Sequence, residues 1–243
     1  MRSADGAPLE LDIVEVPKSG GGVRAMTFLG PGDDARYRRL VARMVLRVDA
    51  SLHAGVVANR VGSWDGSRGW TRERARWRLD IARALAAEDR PVMVLSDVRS
   101  CYASVRDEAL VRGLARARIE EPESAALRAF LGGCRRAGVE GLPIGPAPSA
   151  VLANAVLAVA DDALVGTGVR FARWVDDVVI VAPGASAARR AWDSWAGALR
   201  EVGLHAHEGK TRLIADREEA RSALLLGRSS LMPGSARGMM PAP

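Results

Sequence analysis

Three aspartates stand at the ends of apolar, strand-like segments, and carboxylates in such positions can hold a hard cation. Asp176 and Asp177 are adjacent in "RFARWVDDVVIVAP" (residues 170–183), and Asp97 ends "PVMVLSD" (residues 91–97). Adjacent carboxylates repel each other, so the pair destabilises the fold unless a cation neutralises it. Two Mg²⁺ ions about 4 Å apart can activate an attacking hydroxyl and stabilise a leaving pyrophosphate. The alternative is an ordinary polar turn, in which aspartate is common.

The segments around these aspartates predict how they are positioned. β-Branched residues on both sides of Asp176 and Asp177 predict a hairpin with the carboxylates at its turn. Helices are expected over residues 105–137 and from Ser149 to Leu164, so that the strand ending at Asp97 and the hairpin can share one sheet. We therefore expect the three carboxylates to converge.

Further elements are predicted on both sides of this core. Residues 11–30 read as a hairpin whose tip, "PKSGGG", is flexible and basic. Helical spacing covers residues 33–58, and an arginine-rich helix covers 71–88. A helix is expected over 185–202, and "GLHAHEGKTRLI" (residues 203–214) is a candidate strand–turn–strand.

Composition indicates a soluble protein with an anionic partner. The 243 residues are 48% hydrophobic, enough for a substantial core, and the net charge is +6. Cys101 and Cys134 show no metal or disulfide spacing, which suits a reducing cytoplasm. The N-terminal residues lack the apolar core of a signal peptide, and the longest apolar stretch, residues 150–160, is shorter than a membrane span. We therefore expect a cytoplasmic protein without a membrane partner.

Six segments, in order, resemble motifs of the reverse transcriptase family, and of its bacterial members in particular. They are "VPKSGGGVR" (fingers hairpin), "VLSDVRSCYASV" (first catalytic motif), "GLPIGPAPSAVLAN" (loop and helix at the nascent base pair), "RWVDD" (metal-binding turn), "GLHAHEGKT" (motif with a lysine near the leaving phosphates) and "LLLG" (primer-grip strand). The matches extend from about residue 12 to residue 227. The family usually has Tyr or Phe where this chain has Trp174, and many members have Gln where it has Ile144.

The resemblance implies an α+β fold of the right-hand polymerase type. An antiparallel sheet with packed helices would form the palm over residues 91–227, and residues 1–90, with the hairpin 11–30, would form the fingers. Residues 228–243 are expected to be a mobile tail, and the thumb is expected to be largely absent.

The resemblance also implies RNA-templated DNA synthesis. A primer 3′-hydroxyl would attack the α-phosphate of a dNTP with the help of two Mg²⁺ ions, Mn²⁺ being the alternative. The partners would be an RNA template, a DNA or RNA primer and dNTPs, with a structured noncoding RNA or a partner protein supplying the thumb. Alternatives are an untemplated, protein-primed or RNA-product polymerase, or a catalytically lapsed RNA-binding module. Antiviral defence, retrons and mobile introns are settings that the sequence does not distinguish.

In this frame Asp97, Asp176 and Asp177 would be the catalytic metal ligands. Lys210 would be a general acid for the pyrophosphate, or else a solvated turn lysine. The ring of Tyr102 would exclude a ribose 2′-hydroxyl and so favour dNTPs, or else would be a core aromatic.

The nucleotide itself would contact the hairpin and the glycine-proline loop, "GLPIGPAPS" (residues 141–149). Lys18 and Arg24 would bind the triphosphate, because an ammonium and a forked guanidinium reach different phosphate oxygens. Gly145 and Pro146 would let the template and base pair approach closely.

Other polar residues have simpler explanations. Ser149 is expected to be a helix N-cap, and Asn154 is expected to order the helix against the sheet. A set of arginines could be a solvated helix face or, with nearby tryptophans, could bind phosphates and stack on bases. These residues are Arg68, Arg72, Arg74, Arg76 and Arg78, with Trp64, Trp70 and Trp77.

Overall fold

The computed structural model describes residues 9–18, 21–61 and 67–225. Its strands are β1 (Leu11–Pro17), β2 (Val23–Leu29), β3 (Val92–Asp97), β4 (Arg170–Trp174), β5 (Asp177–Ala182) and β6 (Arg212–Ile214). Its helices are α1 (Pro31–Ala42), α2 (Val45–Ser51), α3 (Ser67–Ala87), α4 (Cys101–Ser104), α5 (Asp107–Arg116), α6 (Glu121–Arg136), α7 (Pro148–Gly166), α8 (Ala185–Glu201) and α9 (Arg217–Leu225).

The strands form two antiparallel sheets. β1 and β2 make the predicted hairpin, in which Leu11 pairs with Leu29 and Pro17 with Val23. The other four strands form one sheet in the order β4-β5-β3-β6. The predicted hairpin at Asp176 and the predicted neighbouring strand are therefore confirmed, because β3 pairs directly with β5.

Helices cover both faces of the four-stranded sheet, as the alternation of side chains along its strands requires. Val94 and Ile180 lie in the main core, to which α5, α6, α7 and α8 contribute. Met93, Leu95 and Val179 point to the opposite face, where they lie in a second core with residues of α3 and α9. The mixed fold of helices and antiparallel sheet is the α+β class that the sequence predicts.

Helix α7 lies at the centre of the main core. Its side chains are buried along nearly its whole length, from Pro148 to Leu164. It is the one helix among the described residues that is long and apolar enough to cross a membrane, and 67% of its most apolar window is buried inside the protein. Its apolar character is therefore explained by its packing in the core.

Three details differ from the predicted elements. The helix expected over residues 33–58 is two helices, because the chain turns at residues 43–44 between α1 and α2. In residues 203–214 only β6 is a strand, preceded by a short 3-10 helix at Glu208–Lys210. The first two residues of "LLLG", Leu224 and Leu225, end helix α9 rather than form a strand.

Candidate active site

The sheet brings two of the three predicted carboxylates directly opposite each other. Asp97 ends β3, Asp177 begins β5, and the two are partners in the antiparallel register. Asp176 lies in the two-residue turn between β4 and β5, and its carbonyl oxygen accepts a hydrogen bond of 3.2 Å from the Val98 amide. Strand pairing therefore places Asp97, Asp176 and Asp177 at one end of the sheet.

Burial and mutual repulsion oppose the ionisation of this cluster. Asp177 is buried, and its pKa is raised to about 9, first by loss of contact with water and then by the charges of Asp176 and Asp97. Burial also raises the pKa of Asp176 to about 6, and Asp97 adds to this shift. The positive charges near the cluster therefore do not fully offset burial and repulsion, and a bound cation would favour the ionised carboxylates.

Lys210 supplies part of the positive charge at the carboxylate cluster. Its Nζ donates a hydrogen bond of 2.8 Å to Oδ2 of Asp97. The segment before it is held against the end of β3, because the His207 amide donates to the Asp97 carbonyl at 2.8 Å and the Arg99 amide to the His205 carbonyl at 2.8 Å. The predicted lysine therefore lies at the carboxylates.

The chemistry of the donor set fits a divalent cation, although the carboxylates do not form a closed cage. Oδ1 of Asp97 is buried and has no hydrogen-bond partner among the described residues. Across those same residues, no group of three or more His, Cys, Asp or Glu side chains that could hold a metal ion is formed. In the described part of the chain, the cation in contact with the cluster is the Lys210 ammonium, 2.8 Å from Oδ2 of Asp97.

The turn that carries Asp176 has strained backbone. Val175 has φ = 56°, in the left-handed region that β-branched residues rarely adopt. Strain of this kind persists only where the surrounding structure imposes it, and it is frequent at functional sites.

Trp174, which precedes this turn, is covered by helix α3. It is 1% exposed, and its ring meets the ring of Trp77 edge-on at a centroid distance of 6.4 Å. The guanidinium of Arg74 lies 5.6 Å from the centroid of the Trp174 ring. Trp77, which is itself 3% exposed and donates a hydrogen bond to the Ala172 carbonyl, is a core residue and not a surface for stacking bases.

Tyr102 and Arg24 lie near the same carboxylates. Burial raises the pKa of the Tyr102 hydroxyl, and the charge of Asp176 adds to the shift whereas that of Arg24 opposes it. Arg24 likewise lowers the pKa of Asp176. Arg24 of β2 and Tyr102 of α4 thus interact electrostatically with the turn, and their roles in binding substrate stay predictions.

The glycine-proline loop contacts the hairpin. The Thr27 amide of β2 donates to the Ile144 carbonyl at 2.7 Å, and a side chain on Gly145 would meet the Thr27 carbonyl oxygen at 3.1 Å. Pro146 accepts a hydrogen bond from the Ser149 amide as the loop enters α7. Lys18 is exposed at the hairpin tip, and its role in binding a triphosphate stays a prediction.

The N-cap expected at Ser149 was wrong. Helix α7 begins at Pro148 with Ala147 as its N-cap residue. The Ser149 hydroxyl instead forms a buried hydrogen bond of 3.0 Å with the hydroxyl of Tyr37 in α1. A buried partner from a distant helix satisfies this hydroxyl, and local sequence cannot reveal such a partner.

Two residues near the turn were missed by the sequence analysis. Arg173 in β4 and Asp161 in α7 are both completely buried. The signal was available, because an arginine inside an apolar strand and an aspartate inside an apolar helix are seldom buried unless they are paired. Of the arginine- and tryptophan-bearing segment, Trp64 and the side chains of Arg68 and Trp70 lie outside the described residues.

Comparisons with known structures give the same fold. Apo telomerase from Candida tropicalis truncated from its C-terminal domain is 12% identical, with a TM-score of 0.56 over 84% of this chain and 49% of that chain. Apo telomerase from the same organism is 12% identical, with a TM-score of 0.60 over 86% of this chain and 44% of that one. Telomerase from Candida albicans in complex with a TWJ fragment of telomeric RNA is 13% identical, with a TM-score of 0.58 over 88% and 44%. The chain thus spans less than half the length of these neighbours, which share its fold.

The sequence itself matches a family over most of its length. No curated protein sequence matches the chain. The family described as reverse transcriptase (RNA-dependent DNA polymerase) matches residues 17–228, a range that includes the β1–β2 hairpin tip, all three aspartates and Lys210. The chain therefore belongs to the reverse transcriptase family.

Proposed function

We propose that the chain extends a primer 3′-hydroxyl with dNTPs on an RNA template. The observation that carries this proposal is the convergence of Asp97, Asp176 and Asp177 at one end of the sheet, with Lys210 bonded to Asp97. Family membership supports nucleotidyl transfer as the reaction, and the excess of basic residues suits a nucleic acid partner.

The three aspartates would hold Mg²⁺, or Mn²⁺ in its place. When bound, the ions would supply Lewis-acid activation of the primer hydroxyl and stabilisation of the leaving pyrophosphate. The elevated pKa values of Asp176 and Asp177 fit this role, because a cation at the site would lower them and favour the ionised ligands.

Lys210 and Arg24 would act on the phosphates. In the reaction the primer oxygen forms a bond to the α-phosphorus, the bond to the pyrophosphate oxygen breaks, and the proton of the 3′-hydroxyl passes to solvent water. The Lys210 ammonium is placed at Asp97 and could donate a proton to the departing pyrophosphate. Arg24, close to Asp176, could hold the triphosphate oxygens through its planar fork, and Lys18 at the hairpin tip could reach others.

Tyr102 would select the sugar. Its hydroxyl interacts electrostatically with Asp176, and its ring would occupy the space that a ribose 2′-hydroxyl needs. Steric exclusion of this hydroxyl would favour DNA rather than RNA as the product. Gly145 and Pro146 would shape the adjoining surface for the base pair, on the loop that β2 holds in place.

Primer extension on a defined RNA template tests the proposal. We expect the purified chain with Mg²⁺ to extend a primer with dNTPs and to use NTPs poorly. In Tyr102→Val the ratio of kcat/KM for NTPs to that for dNTPs should rise by at least tenfold, whereas Tyr102→Phe retains the ring and should retain the selectivity. Equal use of NTPs by the wild-type chain would favour an RNA-product polymerase. RNA binding without extension would favour a lapsed binding module.

A further inference from the structure

A buried ion pair lies directly behind the carboxylate turn. Arg173, three residues before Asp176, and Asp161 of helix α7 are each 0% exposed, and Nη2 of Arg173 is 2.7 Å from Oδ2 of Asp161. Removing two charges from water is costly, and replacing such a pair by apolar residues often leaves a protein equally stable. Stability alone therefore gives a weak reason for this pair, and its position next to the turn suggests another.

The Arg173 guanidinium joins helix α7 to the turn. Its Nε donates to both carboxylate oxygens of Asp161, at 2.9 and 3.0 Å. Its Nη1 donates to Oδ1 of Asn154, also in α7, at 2.8 Å, and to the carbonyl oxygen of Val175 at 2.6 Å. The last bond matters most, because the Val175 carbonyl belongs to the peptide unit that leads into Asp176.

The backbone from which this side chain projects is anchored on its outer edge. The Arg173 amide donates to the Gly55 carbonyl at 2.8 Å, and the Arg173 carbonyl accepts from the Val57 amide at 3.0 Å. Asn154 is anchored as well, because its Nδ2 donates to the Ala58 carbonyl at 3.0 Å. The Arg173 backbone is thus held by Gly55 and Val57, and its guanidinium is held by helix α7. From this fixed position the side chain reaches the short, strained turn.

The strain at Val175 explains why the hydrogen bond from Arg173 to its carbonyl matters. A two-residue turn with a β-branched residue at φ = 56° has more relaxed alternatives, and rotation of the Val175–Asp176 peptide toward them would move the Asp176 carboxylate. A hydrogen bond from a charged, immobile donor to the Val175 carbonyl opposes this rotation.

We propose that Arg173 and Asp161 are positioning residues that fix the Val175–Asp176 peptide and thereby aim the Asp176 and Asp177 carboxylates. Neither residue touches substrate, and their effect on turnover rests on the proposed function, whereas their effect on the turn does not. The pair also ties the turn to α7, the helix that follows the glycine-proline loop, so the two parts of the site keep a fixed relation.

The test compares variants of this pair with a matched control. Arg173→Lys keeps the charge but loses the fork that reaches both Asp161 and the Val175 carbonyl. The double variant Arg173→Met with Asp161→Leu replaces the pair by apolar side chains and should fold even if the single variant does not. Asp162→Asn is the control, because Asp162 is the next residue of α7 and accepts two hydrogen bonds, at 2.6 Å, from the partly exposed Arg116.

Two measurements separate the positioning role from the proposed reaction. Amide hydrogen exchange at Val98, whose N–H donates to the Asp176 carbonyl, reports the position of the turn without substrate or metal. We expect at least tenfold faster exchange at Val98 in Arg173→Lys and in the double variant, with the control unchanged. We also expect kcat for primer extension to fall about 10- to 100-fold at nearly constant KM for dNTPs.

The outcomes distinguish the two proposals. Folded variants with wild-type exchange at Val98 would overturn the positioning role, whatever their activity. The variants could show faster exchange at Val98 while the wild type extends no primer. That result would support the positioning of the turn and would refute the proposed polymerase function.

Discussion

At the scale of single residues, the site is defined by negative charge that the protein does not fully compensate. Asp97 and Asp177 are opposed across two strands, and like charges in such positions destabilise a sheet. Lys210 and Arg74 lower the pKa of Asp177, yet burial and the neighbouring carboxylates still raise it to about 9. The cluster therefore destabilises the folded protein most when its carboxyls are ionised and no cation is present.

Substituting Asp177 should reveal this cost as a dependence of stability on pH. The raised pKa means that the folded protein binds the proton more tightly than the unfolded chain, whose aspartates titrate near pH 3.9. Stability from this group is therefore complete below about pH 4 and is lost as the pH rises toward 9. In the presence of a chelator, Asp177→Asn should raise the free energy of unfolding by roughly 2–5 kcal/mol at pH 8 and by little at pH 4.

Thermal and urea unfolding between pH 4 and pH 9 measure this difference. Asp193→Asn, which removes an exposed carboxyl from helix α8, is the control. Added Mg²⁺ should stabilise the wild type and so reduce the difference in free energy of unfolding between it and Asp177→Asn. A wild type that is as stable as Asp177→Asn at pH 8 without a divalent cation would contradict the proposed charge imbalance.

At the scale of elements, the strands beside the site could be predicted and several of its supports could not. The β-branched run "VVIVA" after Asp177 indicates β5, and the aromatic residues Phe171 and Trp174 favour β4, because such patterns depend on the local chain. Ser149 illustrates the other case, since its partner Tyr37 is 112 residues away. The "LLLG" segment was expected to be a strand, but Leu224 packs in the second core as part of α9.

The site residues divide in the same way. Asp97, Asp176, Asp177 and Lys210 could be anticipated because their motifs follow a family order, and the structure brings them together. The bonds from Arg173 to the Val175 carbonyl and Asp161 depend on how β4 packs against α7, which periodicity does not specify.

A glycine of the glycine-proline loop offers a test at this scale. Gly141 has φ = 60°, and a side chain there would come within 2.2 Å of the Tyr102 carbonyl oxygen. Gly168 has φ = 73° with nothing within 4 Å, so it isolates the effect of backbone conformation. We expect Gly168→Ala to lower the free energy of unfolding by about 1–2 kcal/mol and to leave the selectivity for dNTPs over NTPs unchanged.

Gly141→Ala should lower the free energy of unfolding by more than Gly168→Ala does, and it should also displace Tyr102. Urea unfolding gives the stability difference, and the ratio of kcat/KM for dNTPs to that for NTPs reports the sugar gate. Equal stability losses and an unchanged ratio in both variants would show that Gly141 does not support Tyr102.

At the scale of the whole molecule, the net positive charge suits a nucleic acid partner. The chain carries 35 basic and 29 acidic residues. Helix α3 brings Arg74 over Trp174 beside the carboxylate turn, whereas Arg76 on the same helix lies 3.7 Å from Asp80. Arg74 lies next to the site and is therefore the better placed of the two to contact a phosphate there.

Binding of an RNA–DNA duplex should therefore weaken as salt rises. We expect the logarithm of the association constant to fall linearly with the logarithm of salt concentration, because phosphate contacts release bound counterions. Arg74→Gln should reduce the magnitude of this slope by about one, and Arg76→Gln should leave it nearly unchanged. Fluorescence anisotropy between 50 and 300 mM salt measures both slopes, and identical slopes in the two variants would exclude a phosphate contact at Arg74.

The most direct test of the central claim is single-turnover incorporation by Asp176→Asn. This substitution keeps the size of the side chain at the turn and removes one proposed metal ligand, so we expect the rate of dNTP addition to fall by about three orders of magnitude or more. Duplex affinity and thermal unfolding, measured on the same preparation, should stay near the wild-type values. Incorporation within tenfold of the wild-type rate would contradict the assignment of this turn as the catalytic centre.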